Sequence, residues 1–386
     1  MSTPLTTKIE TSSLAEYVIK EVAFNNDHGV LTATVVATNP DGGQFAFYVY
    51  RNEERIHTQW YSKTPSLRFD TKAEPGLYRV LSFFLSLDGK KITKYSKPIF
   101  LHPTSFTLLS PKKPESEDRA MQLYGPHWKF PALYFSSKHL RLFVMTSAAV
   151  DRNKITLPAF NRWTWAGAGK FPGHVLCIAD PTLELQDDMK LGWFFGTDKY
   201  DATDELCTFI RRFAETLGIA EDKIVFWGSS GGGFAALALS SRIEGSTAVA
   251  INAQTNALAY NIVKTVETVR VWCFDGRPAA DIQEMFGHRV NMSQAWEKNR
   301  NSRAILVQNK LDTHHYNCHF QPFWTALGGN PEGGRAADGR YYAWLYEDTR
   351  GHVPETEQMI PEILRLIDDA VIASPMKPAS GPLSAQ

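Results

Sequence analysis

Two kinds of hydrophobic pattern divide the chain, and one replaces the other near residues 105–120. Before that point, short β-branched and aromatic runs alternate with turn signals; Val30–Thr38, for example, ends at the turn cluster Asn39–Gly43. After it, apolar strand-like runs alternate with longer stretches of helical periodicity. The pattern therefore predicts an all-β region followed by a larger α/β region.

The first region has about seven strand-like runs within roughly 100 residues, a spacing typical of an antiparallel β-sandwich. The runs after the first are Gln44–Arg51, Ile56–Tyr61, Ser66–Asp70, Gly76–Leu87, Lys91–Ser96 and Pro98–His102. We therefore predict an immunoglobulin-like sandwich over residues 1–105.

Four aromatic residues of this region, Tyr48, Tyr50, Trp60 and Phe83, have two interpretations. Aromatic side chains are favoured in strands, and we expect these to fill the sandwich core. The alternative is an exposed surface on which sugar rings stack.

Residues 103–119 contain three prolines and a charged, polar end, so we predict a linker over residues 106–119. The α/β region then spans residues 120–375, and residues 376–386 are expected to form a flexible tail. Because its strands alternate with helices, this region should form a mostly parallel sheet with right-handed crossovers.

The clearest helix of the second region is Asp201–Leu217, whose apolar residues recur on one face and which Gly218 ends. A helix-rich section covers residues 253–300, and the last helix runs to about Ile372. The predicted strands are Ala132–Ser136, Leu140–Thr146, Gly173–Ala179, Ile224–Trp227, Thr247–Asn252, Arg303–Gln308 and Tyr341–Tyr346.

The segment Lys223–Ala238, KIVFWGSSGGGFAALA, combines a buried strand, a glycine-rich turn and the start of a helix. Within it, Gly228–Gly232 matches G-x-S-x-G with Ser230 at the centre. Such a turn lifts the serine hydroxyl clear of the sheet, and the N–H of Gly231 would stabilise a developing oxyanion. Two alternatives stay open: a glycine-rich turn without catalytic role, and Ser229 as the nucleophile.

An activated serine needs a base, and the base needs an acid that orients it. Asp312 and His352 each follow a late strand, where the site of a parallel sheet lies. The order Ser230, Asp312, His352 is the order found in α/β-hydrolases. Asp275, which also follows an apolar run, and Asp348 are the competing acids.

With these motifs, residues 120–375 resemble an α/β-hydrolase domain. The resemblance rests on Gly228–Gly232, on Asp312 in VQNKLD and on Gly351-His352 before the final helix. It implies a serine-dependent esterase, deacetylase or O-acyltransferase that requires no organic cofactor and no metal. The strand ending at Thr146 should then supply a second oxyanion amide, near Ser147 or Ala148, without the HGGG-type loop of many esterases.

Three further segments, FWGSSGGGFAALAL, LGWFFG and KLDTHHY, are similar to hydrolase-like proteins associated with bacterial capsule and surface-glycan production. This closer resemblance implies a small-molecule or glycan ester as substrate and polysaccharide machinery as partner. The rival hypothesis is a catalytically idle scaffold in a polysaccharide assembly or export complex.

A dense cluster follows the predicted acid: His314, His315, Cys318 and His319. Its spacing fits no standard zinc finger, so we expect no metal here. We expect one or two of these side chains to line the cleft and the others to be structural.

Composition narrows the function classes. The 41 basic and 41 acidic residues give a net charge of zero, which argues against a protein dominated by nucleic-acid or anionic-membrane binding. No run approaches the length of a membrane span, and the N-terminus lacks the apolar segment of a signal peptide. The four cysteines, Cys177, Cys207, Cys273 and Cys318, do not resemble a disulfide framework. We therefore expect a cytoplasmic protein.

Overall fold

A computed structural model of the chain describes residues 17–27, 30–38, 42–51, 54–72, 74, 76–96, 99–101, 120–297, 299 and 301–373. The chain divides into two compact units, residues 1–103 and 104–386. The predicted linker, residues 106–119, and the predicted tail, residues 376–386, lie outside the described residues.

The described part of the first unit is an antiparallel β-sandwich of eight strands. One sheet has the order β1-β2-β5, and the other has the order β4-β3-β6-β7, with β8 also paired to β6. The strands are β1 Ile19–Asp27, β2 Val30–Ala37, β3 Gln44–Arg51, β4 Glu54–Ser62, β5 Ser66–Asp70, β6 Gly76–Leu85, β7 Lys91–Tyr95 and β8 Ile99–Leu101. The predicted sandwich is confirmed.

The pattern missed strand β1. Its sequence, IKEVAFNND, is interrupted by charged and amide side chains, so it has no continuous apolar or alternating run. Antiparallel pairing with β2 supplies its hydrogen-bond partners, and Ile19 and Val22 are buried. The strand exists because the tertiary structure offers it a partner, which local propensity cannot predict.

The expectation that four aromatic side chains fill the sandwich core is wrong for most of them. Trp60 is 71% exposed, and Tyr48 and Tyr50 are only partly buried. Side chains alternate along a strand, so β3 sends one set inward and these two tyrosines to the other face. The inward set is Phe45, Phe47 and Val49.

Two of the four aromatic rings, those of Tyr48 and Phe83, are already covered by neighbouring side chains. Tyr48 packs edge-on against Phe83, with ring centroids 4.6 Å apart. The Arg55 guanidinium lies 4.7 Å from the centroid of the Tyr48 ring, and the Lys91 ammonium lies 4.8 Å from that of the Phe83 ring. These cation–π contacts already occupy faces that a stacked sugar would need.

The described part of the second unit contains a nine-stranded sheet of order β16-β17-β15-β14-β13-β11-β12-β10-β9. The central pairs are parallel, whereas β10 runs antiparallel to both its neighbours and β16 antiparallel to β17. Its strands are β9 Ala120–Tyr124, β10 Lys129–Phe135, β11 Leu142–Thr146, β12 His174–Ile178, β13 Ile224–Ser229, β14 Thr247–Ile251, β15 Arg303–Asn309, β16 Gly334–Arg335 and β17 Tyr341–Tyr346.

Helices cover both faces of this sheet. Alternate residues of β13 point to opposite cores: Phe226 packs in the cluster of α2 and α3, and Trp227 in the cluster of α9. The helices are α1 Trp163–Gly167, α2 Ala202–Thr216, α3 Gly231–Ser240, α4 Val263–Cys273, α5 Ala279–Val290, α6 Met292–Glu297, α7 Thr313–His315, α8 Gln321–Ala326 and α9 Ile360–Ala373, with a π-helical turn Tyr316–Phe320 between α7 and α8. The predicted fold, an α/β-hydrolase-like region that follows a small β-sandwich along the chain, is confirmed.

The structure adds several details to the sequence prediction. Strand β9 was not predicted. Helix α3 begins at Gly231 rather than at Phe234, so the glycines form its first turn. The helix-rich section is an insertion of α4, α5 and α6 between β14 and β15.

All four cysteines are free, and no helix within the described ranges is long and apolar enough to cross a membrane.

We predict that a fragment starting near residue 118 folds by itself. The two hydrophobic clusters of the second unit contain only residues after 120, and the cluster of the first unit only residues before 103. A unit with its own core folds alone unless it shares a large apolar interface. The fragment should unfold cooperatively in urea, and a soluble fragment without a cooperative transition would place the boundary elsewhere.

Candidate active site

Ser230 occupies a sharp turn between β13 and α3. Its backbone is at φ 53° and ψ −124°, a conformation that costs a non-glycine residue about 1–3 kcal/mol. The turn is possible because the flanking glycines lack side chains: a Cβ on Gly228 would overlap the carbonyl of Gly232 and the hydroxyl of Thr146. The Ser230 N–H donates to Ile251 O at 2.9 Å, which ties the turn to β14.

The structure brings the three predicted catalytic residues within hydrogen-bond distance. His352 Nε2 lies 3.0 Å from Ser230 Oγ, and His352 Nδ1 lies 2.6 Å from Asp312 Oδ2. Asp312 is buried, whereas His352 is exposed and Ser230 is partly exposed. The hydroxyl and the imidazole therefore face solvent, and the carboxylate lies behind them.

Asp312 is held in its ionised form. Burial by itself would raise the pKa of this carboxyl, but hydrogen bonds from His315 and His352 outweigh burial and hold its pKa well below the usual range. An ionised carboxylate next to the imidazole stabilises the positive charge that the imidazole acquires when it takes up a proton.

The competing residues lie elsewhere. The apolar run before Asp275 is the end of helix α4, not a strand, and this aspartate is exposed. The Asp348 carboxylate is bound by the Arg350 guanidinium, with Nε 3.0 Å from Oδ1. Ser229 is buried, and its Oγ accepts a hydrogen bond of 2.9 Å from Arg162. None of the three contacts His352 among the hydrogen bonds described.

The predicted oxyanion amides belong to two segments, the start of helix α3 and the residues that follow β11. Gly231 is the first residue of α3, so its N–H has no acceptor within the helix, and the positive end of the helix dipole lies there. The end of β11 is fastened to the turn, because Thr146 Oγ1 donates to Gly232 O at 2.7 Å. After β11, the Ser147 hydroxyl accepts a hydrogen bond of 3.0 Å from the Asp180 N–H. The Ala148 N–H has a long contact, 3.5 Å, with Asn161 Oδ1.

The loop Leu191–Gly196, the LGWFFG segment, packs against the turn. A Cβ on Gly231 would overlap Leu191, and both Trp193 and Phe194 have positive φ. The buried Asp180 carboxylate holds this loop by accepting the Phe194 N–H at 2.9 Å. Burial raises the pKa of Asp180 to about 6.

Two buried asparagines at strand ends fix the loop that carries His352. Asn252 donates to Tyr346 Oη and to Val353 O, both at 2.7 Å. Asn309 donates to the carbonyls of Asp348 and Gly351, both at 2.8 Å. The position of His352 thus depends on side chains that follow β14 and end β15.

A buried ion pair lies beneath the site. Arg162 and Glu355 form a bidentate pair, with Nη2 2.7 Å from Oε2, and their side chains are 5% and 0% exposed. Trp227 Nε1 donates to the same carboxylate at 2.7 Å. Burial opposes the charge of Glu355, but Arg162 outweighs it and lowers the pKa of this carboxyl. Because Glu355 follows His352 by three residues, the pair anchors the loop that carries the histidine.

Comparison with solved structures finds similar folds at low sequence identity. A chain of a glycosylation-associated protein complex from Streptococcus agalactiae is 9% identical, with 93% of this chain and 73% of that chain covered and a TM-score of 0.53. The capsule O-acetyltransferase of Neisseria meningitidis serogroup A is 14% identical, with 64% and 94% covered and a TM-score of 0.47.

The fluorophosphonate-binding serine hydrolase F of Staphylococcus aureus is 10% identical, with 64% of this chain and 97% of that chain covered and a TM-score of 0.44. Identities this low show the fold alone. No protein-family model matches the chain, and no curated protein matches it.

Two residues outside the predicted triad contact the site directly: Gln254, which had no predicted role, and His315, from the cluster of which one or two members were expected to line the cleft. Gln254 Nε2 lies 3.0 Å from Ser230 Oγ and 2.8 Å from His315 Nε2. His315 Nδ1 lies 3.0 Å from Asp312 Oδ1. The spacing Asp312-x-x-His315 at a helix start places both side chains on one face, a signal that the sequence did contain. Gln254 had only its place three residues after β14 as a signal.

The members of the histidine cluster have different surroundings. His315 enters the site, His319 Nδ1 lies 3.4 Å from the Thr255 N–H, and Cys318 is exposed. Ligand atoms of Asp312, His315 and His352 lie within 4.8 Å of one another, as a metal site would require. Hydrogen bonds account for this closeness. If His315 bound a metal through Nδ1, its remaining proton would lie on Nε2 and would face the amide N–H of Gln254.

We predict that Glu355→Gln destabilises the protein by about 3–5 kcal/mol, because it leaves the buried Arg162 charge without its counter-ion. Urea unfolding followed by tryptophan fluorescence measures this change. The matched control is Glu357→Gln, two residues along, whose partner Lys170 is 42% exposed and whose loss should cost at most about 1 kcal/mol. Equal effects of the two substitutions would contradict the assignment.

Proposed function

We propose that this protein is a serine-dependent acyl-transfer enzyme, an esterase, deacetylase or O-acyltransferase, in which Ser230 is the nucleophile, His352 the base and Asp312 the acid. The observation that carries the proposal is the continuous chain of contacts from Ser230 Oγ through His352 to Asp312, at 3.0 and 2.6 Å. The backbone conformation of Ser230 supports it, since strain of this kind clusters at functional sites.

The mechanism follows from these contacts. His352 Nε2 takes the proton from Ser230 as Oγ forms a bond to the carbonyl carbon of an ester. The oxygen of that carbonyl becomes negative and is bound by the N–H groups of Gly231 and Ala148. The charged His352 is stabilised by Asp312 and then gives its proton to the departing alcohol.

The second half of the reaction removes the acyl group from Ser230 and regenerates the free enzyme. Water or an acceptor hydroxyl loses its proton to His352 and attacks the acyl group on Ser230, and the proton then returns to Oγ. The acceptor decides between hydrolysis and transfer. We propose a glycan ester or a glycan hydroxyl as the substrate class, in keeping with the segments similar to capsule-associated proteins.

A second candidate is a scaffold in a glycan-modifying assembly. Its support is the likeness to a chain of a glycosylation-associated complex over 93% of this chain, both units included. The two candidates differ in one measurable property, since only the enzyme has an activated serine.

We predict that a fluorophosphonate labels Ser230. A base within about 2.6–3.2 Å makes a serine reactive, and His352 lies within that range. His352→Ala should abolish the labelling, and Ser229→Ala should retain it, because the Ser229 hydroxyl is bound to Arg162. Both serines lie in the tryptic peptide that follows Lys223, so the variants and not the peptide mass assign the site. A folded wild-type protein that stays unlabelled would make the scaffold the better explanation.

We predict that Asp312→Asn lowers the labelling rate by about 10³–10⁴-fold with little change in fold, because an amide in place of the carboxylate removes the charge partner of His352 and disturbs its tautomer. The rate of fluorophosphonate inactivation measures the effect, and thermal unfolding checks the fold. Asp275→Asn is the control and should react at the wild-type rate, since Asp275 lies beyond helix α4. The opposite ranking would refute the choice of acid.

A further inference from the structure

We infer that His315 and Gln254 are positioning residues that complete a closed ring of hydrogen bonds with Ser230, His352 and Asp312. Five contacts form the ring, from Ser230 to His352, to Asp312, to His315, to Gln254 and back to Ser230. The functional part of this inference rests on the proposed serine mechanism, whereas the ring itself is a property of the fold.

Gln254 sets the direction of the hydrogen bonds. Trp193 Nε1, which can only donate, lies 3.3 Å from Gln254 Oε1, so the amide oxygen faces the indole. The amide nitrogen must then face the site, and its two hydrogens match its two contacts, with Ser230 Oγ and His315 Nε2. Gln254 is fully buried, so solvent does not reach its amide group.

The amide of Gln254 determines the tautomer of His315. Because Gln254 donates, His315 Nε2 must accept, and the imidazole proton lies on Nδ1, where it is donated to Asp312 Oδ1. A second proton on His315 would set an N–H against the Gln254 N–H. His315 is therefore a neutral donor that orients the carboxylate.

The remaining protons are then fixed as well. Ser230 Oγ accepts from Gln254, so its own hydrogen is directed at His352 Nε2. His352 in turn carries its proton on Nδ1 and donates it to Asp312 Oδ2. The ring leaves the serine hydroxyl aimed at its base before any substrate arrives.

The two imidazoles are also stacked, with centroids 3.9 Å apart and an interplanar angle of 14°. During the reaction His352 gains a proton, and a cationic His315 at this distance would oppose that step. By keeping His315 neutral, Gln254 allows the charge to develop on His352 alone.

The surroundings favour a neutral His315. Burial lowers its pKa, the hydrogen bond with Asp312 opposes that effect, and the charge of His352 adds to it. Burial likewise lowers the pKa of His319 to about 3, so this neighbour is uncharged near neutral pH. The titratable side chains that face His315 are Asp312, His314, His319, His352 and Tyr260.

The first test reads the tautomer and needs no activity. In the full chain labelled with ¹⁵N-histidine, the two-bond ¹H–¹⁵N spectrum should place the His315 proton on Nδ1 and keep that residue neutral from about pH 5 to 8. The signal is assigned by its loss in His315→Gln. A His315 that titrates in this range, or that carries its proton on Nε2, overturns the inference whatever the reactivity of Ser230.

The second test uses two substitutions, each of which retains a polar group at the position of one imidazole nitrogen of His315. His315→Asn places an amide N–H where Nδ1 donates to Asp312, whereas His315→Gln reaches only toward Gln254. Losing one hydrogen bond to a charged carboxylate should slow fluorophosphonate labelling of His315→Gln by about 10- to 100-fold. His315→Asn should recover most of that loss, and thermal unfolding measured on both variants separates reactivity from stability.

The control is His314→Gln, from the same cluster but outside the ring, which should react like the wild type. If the wild type is labelled and His315→Gln reacts as fast as His314→Gln, this inference falls and the proposed function stands. If the wild type is folded but unlabelled, the proposed function falls, and the tautomer measurement alone then decides whether the ring exists.

Discussion

The turn at Ser230 is the constraint on which the site depends. A non-glycine residue at φ 53° is maintained only because strand β13, the end of β11 and helix α3 approach one another more closely than side chains would allow. The same approach places the first N–H of helix α3, that of Gly231, directly after the serine. The strained backbone of Ser230 and the close approach of β13, β11 and α3 therefore depend on each other.

Polar side chains at the carboxyl ends of the strands hold the loop that carries His352 next to this turn. Asn252 and Asn309 bind carbonyls of the loop that carries His352. The buried ion pair Arg162–Glu355 anchors the same loop. Buried polar groups of this kind are costly unless every partner is present, so they fix one arrangement and exclude others. The exposed His352 therefore owes its position to buried groups.

The elements that the sequence predicted correctly are those with a strong local signal. Helix α2 has a regular apolar face and an aspartate cap, and the central strands are continuous apolar runs. Strand β1 and the outward-facing aromatic residues were missed or misplaced because pairing partners and sheet faces are set by distant segments. For the same reason, the apolar run before Asp275 made this aspartate a competing acid, and only the structure showed that the run ends helix α4.

The sequence by itself determined the class of fold, the glycine-flanked serine and the order of serine, aspartate and histidine, because each depends on residues that are close along the chain or on the order of elements. Only the tertiary structure decided which aspartate lies beside His352, which serine faces solvent, and that His315 and Gln254 join them. Hydrogen bonds between residues as far apart as Ser230 and His352, 122 positions along the chain, leave no local pattern, since they arise only when separate strands end at the same edge of one sheet.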